Sequence, residues 1–520
     1  MIDRRRFLQA LVSLGVIAVS PVRAQLNERP GFSRNPFSLG VASGYPQPAG
    51  FTLWTRLAPF PEAPGGGMAP EVVPVTWEVA SDEAFRDIAA SGTTYATPDW
   101  AHSIHVQVDG LQGNRPYWYR FAAGDARSAV GRVRTAPGVQ ARPTRLRFAL
   151  ASCQHYEQGY FNAYRHIAAD HPDLVLHVGD YIYESSWGRE LVRKHDIPEP
   201  MTLEDYRMRY AQYKTDADLQ LAHAACPWLV TWDDHDVEND YADDRSENND
   251  PREWFLARRA AAYKAWYEHM PAPREMVPHG PFARIYTRAS FGNLANFFVL
   301  DDRQFRSHQV CPRPGRGGSN TVDVSECADL TDSKRTMLGA PQEQWLEAQL
   351  GASRTRWNFI VQQTPMAQFD QKPGQGRSAW TDGWDGYPVS RKKILDFLSS
   401  RKIQNPIVLG GDVHSFNVNH LKLDFDDPDS PIVASEFVGT SITSQAWAQE
   451  RLAPLLADNP HMTFTDSRFR GYARFDLSRE RLGADLRAMQ SVQKRDAACN
   501  TLASFAVEDG RPGAVKSSSV

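Results

Sequence analysis

The chain has 520 residues, 42% of them hydrophobic and 23% charged, with Lys+Arg 58 against Asp+Glu 62. That length accommodates two or three domains and a large buried core. The near balance of charge excludes recruitment of nucleic acid by a bulk basic surface, though it leaves a nucleic acid open as a diester substrate.

The first residues read as an address. Arg4-Arg5-Arg6-Phe7-Leu8 precedes a mild apolar run from Ala10 to Val19, then Val22-Arg23-Ala24, a small-x-small cleavage pattern. The run is too short to span a bilayer. Residues 1–24 are therefore expected to be a cleaved twin-arginine signal peptide rather than a cytoplasmic amphipathic helix. This predicts a periplasmic or secreted protein with no stable membrane span, handled by the twin-arginine export machinery. Such export carries folded proteins, often with a cofactor already in place, which favours a metalloprotein. Five cysteines (153, 226, 311, 327 and 499) suit an oxidising compartment. Cys311 and Cys327 flank a Pro/Gly-rich loop and are expected to pair, for about 3 kcal/mol. Cys226 and Cys499 form a second candidate pair, and Cys153 is expected to stay reduced.

Residues 35–140 show short alternating segments, such as 50–56, 72–79, 103–108 and 117–121, separated by Gly/Pro/Asn turns. The pattern predicts an N-terminal β-sandwich of the immunoglobulin or fibronectin kind, without ligands or nucleophiles of its own. From residue 145 to 510 the texture becomes α/β. A buried strand ends at Ser152-Cys153, helical spacing follows over 160–169, and a second apolar run ends in Gly179-Asp180-Tyr181-Ile182-Tyr183-Glu184. This β-α-β unit brings Cys153 and Asp180 to the same end of a parallel pair.

The pattern of an apolar run followed by polar groups recurs. Residues 228–232 lead to Asp233-Asp234-His235-Asp236-Val237-Glu238-Asn239-Asp240, residues 297–300 to Asp301-Asp302-Arg303, and residues 407–409 to Gly410-Gly411-Asp412-Val413-His414. Ligands at strand C-termini gather at one rim. Amphipathic helices are expected at 253–268 and 341–350, the second closed by Gly351. The long Gly/Pro-rich segments 306–333 and 371–388 are expected to wall the site, and residues 511–520 to be a flexible tail.

These residue types suit phosphate ester hydrolysis, which needs charge neutralisation at the phosphoryl oxygens, an activated water and a stabilised leaving oxygen. Adjacent metal ions supply all three. Asp180 has two oxygens with which to bridge such ions. A Cys153 thiolate and a Tyr183 phenolate suit Fe³⁺, although Tyr181 and Tyr156 compete as the metal-proximal phenol. Asp234, Asn239 and Asp412 offer hard oxygens suited to Ca²⁺, with Mg²⁺ or Mn²⁺ as alternatives. Zn²⁺ sites usually carry more histidine than this rim provides. His155, Arg165, Arg303, Asp370 and Asp385 are candidate substrate contacts, and Trp187, Trp380 and Trp384 candidate pocket walls.

Together, Cys153-Gln154-His155-Tyr156, the Gly179–Glu184 run, Asp233–Asn239 and Gly411–His414 resemble the PhoD-type alkaline phosphatases, a branch of the calcineurin-like metallophosphoesterase fold. The resemblance implies an αββα catalytic sandwich behind the N-terminal sandwich, phosphomonoesterase or phosphodiesterase activity outside the cytoplasm, and Fe³⁺ held with Ca²⁺. Carried over by motif, Cys153, Asp180 and Tyr183 hold iron, and Asp180, Asn239 and Asp412 serve calcium. Asp234, His235 and His414 then stand beside the ions, with Asp180, Asn239, His235 and His414 as the catalytic set. Asp236 and Asp240 depart from the family's usual Glu and Asn. The competing reading is a catalytically inert envelope protein that binds phosphorylated polymers or metal.

Overall fold

The computed structural model describes residues 24–517, so the expected leader lies almost wholly outside the described residues. Two large sheets carry the architecture. The first has ten strands in the order Arg511–Lys516, Cys499–Glu508, Arg481–Met489, Gly471–Ser478, Arg145–Ala151, Leu174–Val178, Trp228–Thr231, Val41–Gln47, Gly50–Arg56 and Ser103–Val108. The second has seven: Thr287–Phe291, Ala295–Val299, Trp357–Val361, Pro406–Gly410, Ile432–Val438, Phe416–Lys422 and Met462–Asp466.

Alternation along the strands decides which residues fill which layer. Phe297 packs its ring edge on Phe148, 5.3 Å away, and Phe359 does the same, so both fill the space between the sheets. Their neighbours Phe298 and Ile360 point the other way, into a cluster with Leu346, Leu350, Ile394 and Leu398. That outer layer belongs to the helices Gly339–Ala352 and Pro388–Ser400. On the far side, the helices Leu203–Lys214, Ala217–Ala225 and Arg252–His269 cover the first sheet through Tyr206, Tyr210, Leu219 and Trp266. Each such side chain, fully buried, contributes roughly 1.5–3 kcal/mol. The layers are thus helices, sheet, sheet, helices.

The expected β-α-β unit is present. Arg145–Ala151 and Leu174–Val178 pair in parallel around the helix Ala163–Ala169, with Leu150 opposite Leu176.

Several expectations need correction. Residues 41–134 do form two facing layers around Val41, Leu53, Val75, Val106, Tyr119 and Val133. One of those layers, however, is the continuation of the ten-stranded sheet, joined where Gly44 pairs in parallel with Trp228. A Cβ on Gly44 would meet the Trp228 carbonyl at 2.9 Å, so the junction requires glycine. Residues 511–516 are not a flexible tail. They form an edge strand on Cys499–Glu508, and His420 Nε2 bonds the Ala514 carbonyl at 3.0 Å. Gly351 lies inside the Gly339–Ala352 helix rather than closing it. Cys311–Cys327 is a disulfide, whereas Cys153, Cys226 and Cys499 are free. The two long loops also meet each other: Thr321–Asp323 pairs antiparallel with Ser378–Trp380 over a small core of Val310, Val322, Cys327 and Ala379.

Candidate metal centre

The strand ends of both sheets converge on one cleft. The first sheet delivers Cys153, Asp180 and Asp234 just beyond Ala151, Val178 and Thr231, and the second delivers Asp412 and His414 just beyond Gly410. The chain leaves each strand by a sharp bend. Cys153, Asp180, Asp412 and His414 all have positive φ, between 53° and 68°, a region that side-chain-bearing residues rarely occupy and that concentrates at functional sites. At Asp180 and Asp412 the preceding glycine makes the turn possible. A Cβ on Gly179 would lie 2.3 Å from Asp233 Cβ, and one on Gly411 2.5 Å from Ser152 Oγ.

These bends bring ligand atoms together. Those of Cys153, Asp180 and His414 lie within 4.8 Å of one another, as do those of Asp180, Asp234 and His235. Tyr183 sits over the first group: its hydroxyl donates to Asp180 Oδ2 at 2.9 Å, lies 3.0 Å from His414 Nε2, and accepts from Ser444 Oγ at 2.8 Å. Tyr181, the competing phenol, is turned away, with its hydroxyl 2.8 Å from His223 Nε2. Tyr156 is occupied by the Arg193 guanidinium, 3.8 Å above its ring. His414 Nδ1 donates to the Gln445 carbonyl at 2.7 Å, which leaves Nε2 facing the cluster as a lone pair. Asn239 lines the cleft, and its backbone N–H is bound by Glu184 Oε1 at 3.1 Å.

Whether these residues suit a metal can be tested on their unsatisfied atoms. Asp180 Oδ1 and Asp412 Oδ2 are buried without a hydrogen-bond partner, a costly state for a carboxylate oxygen, and Asp234 Oδ1 has only the Arg303 guanidinium, 3.5 Å away. A thiol, carboxylates from three strands and a neutral imidazole with a free lone pair form a donor set that fits cations.

The electrostatics agree. Burial, reinforced by Asp234 and Asp236, pushes Asp180 up to about 7. Burial with neighbouring carboxylates likewise holds Asp233 and Asp412 well above the carboxylate range despite Arg303. Burial raises the Cys153 thiol and the Tyr183 phenol and lowers His414 to about 3. Arg303 is the cation embedded here, bound to Asp233 and, at 2.6 Å, to Asp382. It braces the ligand loops from behind and is absent from the residues lining the cleft.

His235 stands apart from the other histidines. Its Nδ1 is 2.7 Å from Glu184 Oε2 and its ring centroid 4.2 Å from that of Tyr183. Burial disfavours the charged ring, but Glu184, Asp180 and Asp234 outweigh it and raise His235 well above its ordinary pKa. Burial opposes ionisation of Glu184 too, yet His235 and Arg258 hold it at about 2.

Other candidates separate. Trp187 and Trp380 line the cleft, as does Trp384, which is buried with its indole bound to Gln362 at 2.7 Å. Asp385 also lines it and pairs with Arg391 at 2.6 Å. Arg165 is tied to Asp218 and Asp496 outside the cleft. Asp370 caps a turn through the Lys372 and Ser378 amides. His155 is buried beside Tyr183. Of the long loops, 371–388 supplies Gln371, Trp380 and Asp385 to the wall, whereas 306–333 reaches the site through Ser319 N–H on Asp240 Oδ2 at 3.0 Å. Reading the sequence gave no role to Glu184, Ser444 or Asp382. Glu184 was visible as an acidic residue four beyond Asp180; Ser444 and Asp382 lie in loops without a pattern to single them out.

A thiol, carboxylates and an imidazole gathered at the strand ends of a two-sheet sandwich form a donor set that fits cations, and comparison with known proteins places the chain in the class of phosphoric ester hydrolases. The chain belongs to the PhoD-like phosphatases, whose family profile matches residues 148–486, with the profile of that family's N-terminal domain over residues 23–137. It is 44% identical over 533 aligned positions to alkaline phosphatase D of Bacillus subtilis (strain 168), covering 99% of this chain and 89% of the relative. Among solved structures it resembles one described as the structure of PhoD, with a TM-score of 0.90, 44% identity and 94% of each chain covered.

Proposed function

We propose that the protein is a phosphoric ester hydrolase of the alkaline phosphatase D type, acting on phosphomonoesters, phosphodiesters or both at the cleft over Asp180. The observation that carries this reading is the convergence of Asp234, Cys153 and His414 with Asp180 and Asp412 oxygens that have no hydrogen-bond partner. Cys153, Asp180, Tyr183 and His414 would hold the softer, ferric ion, and Asp180, Asp234, Asn239 and Asp412 the calcium ions. Bound there, such ions neutralise the phosphoryl oxygens and lower the pKa of water.

The protein's own groups do the rest. The bent backbone at Asp180 and Asp412 fixes the carboxylates before substrate arrives, so no reorganisation is needed at reaction. The Glu184–His235 pair turns an imidazole to the cleft, with Nδ1 held by Glu184 and Nε2 left to serve as the proton donor to the departing alkoxide. Ser444 and His414 hold the Tyr183 hydroxyl in place. The N-terminal residues support export by the twin-arginine route, and no helix among the described residues is long and apolar enough to cross a membrane.

The test combines metal analysis of the exported protein with assays on one monoester and one diester, for the wild type and Asp180→Ala. Bound iron and calcium, turnover of at least one ester, and its loss in Asp180→Ala or under strong chelation are expected. Full turnover in a chelated or Asp180→Ala protein would overturn the reading.

A further inference from the structure

The cleft above the centre has a volume of about 740 Å³, more than a phosphoryl group and its ions require. Its sides differ in chemistry. One is acidic and polar: Glu199 and Glu238 share Arg258 at 2.6 and 2.9 Å, and Asn248 donates to Glu238 at 3.4 Å. The other is apolar, made by Phe369, Leu452, Leu456 and Met462. Those four come from three separate chain segments that are bound into one body. The Asn459 side chain accepts from the Asp370 amide at 2.8 Å and donates to the Asp370 carbonyl at 2.9 Å and the Leu455 carbonyl at 2.8 Å. Phe369, Leu456 and Met462 are only half-buried, and Trp447 at the mouth is 39% exposed. No lysine or arginine is among the described residues that line the cleft.

We propose that the wall of Phe369, Leu452, Leu456 and Met462 is a subsite for an apolar ester arm, so that the substrate is a phosphodiester with one phosphate and an alkyl-chain substituent. The inference rests on the phosphate ester hydrolysis argued above and narrows its substrate class. Half-buried apolar side chains continuous with a catalytic centre gain by being covered, and the group that reaches them is whatever hangs from the bound phosphate. A buried methylene is worth up to about fourfold in kcat/KM. The lining points the same way: Arg258 and Arg451 beside it are engaged with Glu199, Glu238 and the Trp447 ring, and a polyphosphate or nucleic acid strand needs cationic contacts for its further phosphates, whereas a single phosphate is met by the centre itself.

The experiment uses the metal-loaded protein and a series of methyl, butyl and octyl p-nitrophenyl phosphates. In each, water oxygen joins phosphorus, the bond to the aryl oxygen breaks, and p-nitrophenolate leaves with an alkyl phosphate remaining. kcat/KM is expected to rise along the series, octyl exceeding methyl by about tenfold or more. In Leu456→Asp, and independently in Met462→Asp, the octyl-to-methyl ratio should fall severalfold. A flat or declining series in the wild type overturns the proposal, and so does a ratio unchanged in both variants. Failure to hydrolyse any phosphate ester, monoesters included, overturns instead the reading on which the proposal rests.

Discussion

Glu184→Gln isolates the proton donor from the metal ligands. The substitution keeps the shape of the side chain and an oxygen to accept the Asn239 amide, now bound at 3.1 Å, but removes the charge 2.7 Å from His235 Nδ1. That charge favours the protonated ring against its burial. A positioned general acid typically contributes 10²–10⁴-fold, so a roughly 100-fold fall in kcat is expected where the leaving alkoxide needs a proton. p-Nitrophenolate departs as a stable anion, and its loss should stay within about fivefold. The assay compares glycerol phosphate, followed by phosphate release, with p-nitrophenyl phosphate on the same preparations. If the variant merely displaced Asn239, both substrates would suffer alike. Equal losses, or none with the alkyl ester, would refute the assignment of Glu184 and His235.

The proposed ferric position predicts a coloured protein, since a phenolate bound to iron absorbs visible light. Tyr183→Phe should remove the band while the protein stays folded, and Cys153→Ala should lower the iron content measured by elemental analysis; an unchanged spectrum in Tyr183→Phe would exclude that ligand. Lys214 gives a pH prediction away from the cleft. It is buried against Trp54, with its ammonium 4.2 Å from the ring, and burial lowers it to about 7. A lysine lowered on folding binds fewer protons in the folded state. Its penalty is therefore full below pH 7 and disappears as pH rises toward its unfolded value, at up to about 1.4 kcal/mol per unit. The thermal stability of the wild type relative to Lys214→Met should accordingly rise from pH 7 to pH 10, and a constant difference across that window would show that Lys214 keeps its proton.

How much of this was legible in the sequence depended on the range over which each signal acts. Continuous apolar runs ending in polar groups placed Cys153, Asp180, Asp234, Asp412 and His414 at strand ends, because a strand buried on both faces is apolar residue by residue. The disulfide was legible because Cys311 and Cys327 close a short Pro/Gly-rich loop. What sequence could not show is which strands lie side by side. Gly44 pairing with Trp228 joins the N-terminal layers to the catalytic sheet across more than 180 residues, and the edge strand Arg511–Lys516 exists only because Cys499–Glu508 is there to accept it. Segments such as 511–516, small and polar in composition, look frayed until their partner is known.

The same limit explains why the ligands could be named before their supports. A metal ligand betrays itself by residue type at a strand end, but the groups that hold it in place come from wherever the fold happens to bring a donor or a charge. Tyr183 is fixed by Ser444, 261 positions away, and the Asp233–Asp234 turn by Arg303, itself held by Asp382 from a long loop. Positive φ at Cys153, Asp180, Asp412 and His414 is another product of this tertiary setting. Each bend costs on the order of 1 kcal/mol or more and persists only where the surroundings over-determine it. Asp236 does part of that work: it accepts the amides of Tyr181, Ile182 and Asp233 and the Tyr210 hydroxyl, and so couples the loop carrying Asp180 to the loop carrying Asp234. The Tyr181 and Asp233 amides, one from each loop, meet on Oδ2, while the Ile182 amide and the Tyr210 hydroxyl take Oδ1, so one short carboxylate holds the two loops that supply the central carboxylates as one piece.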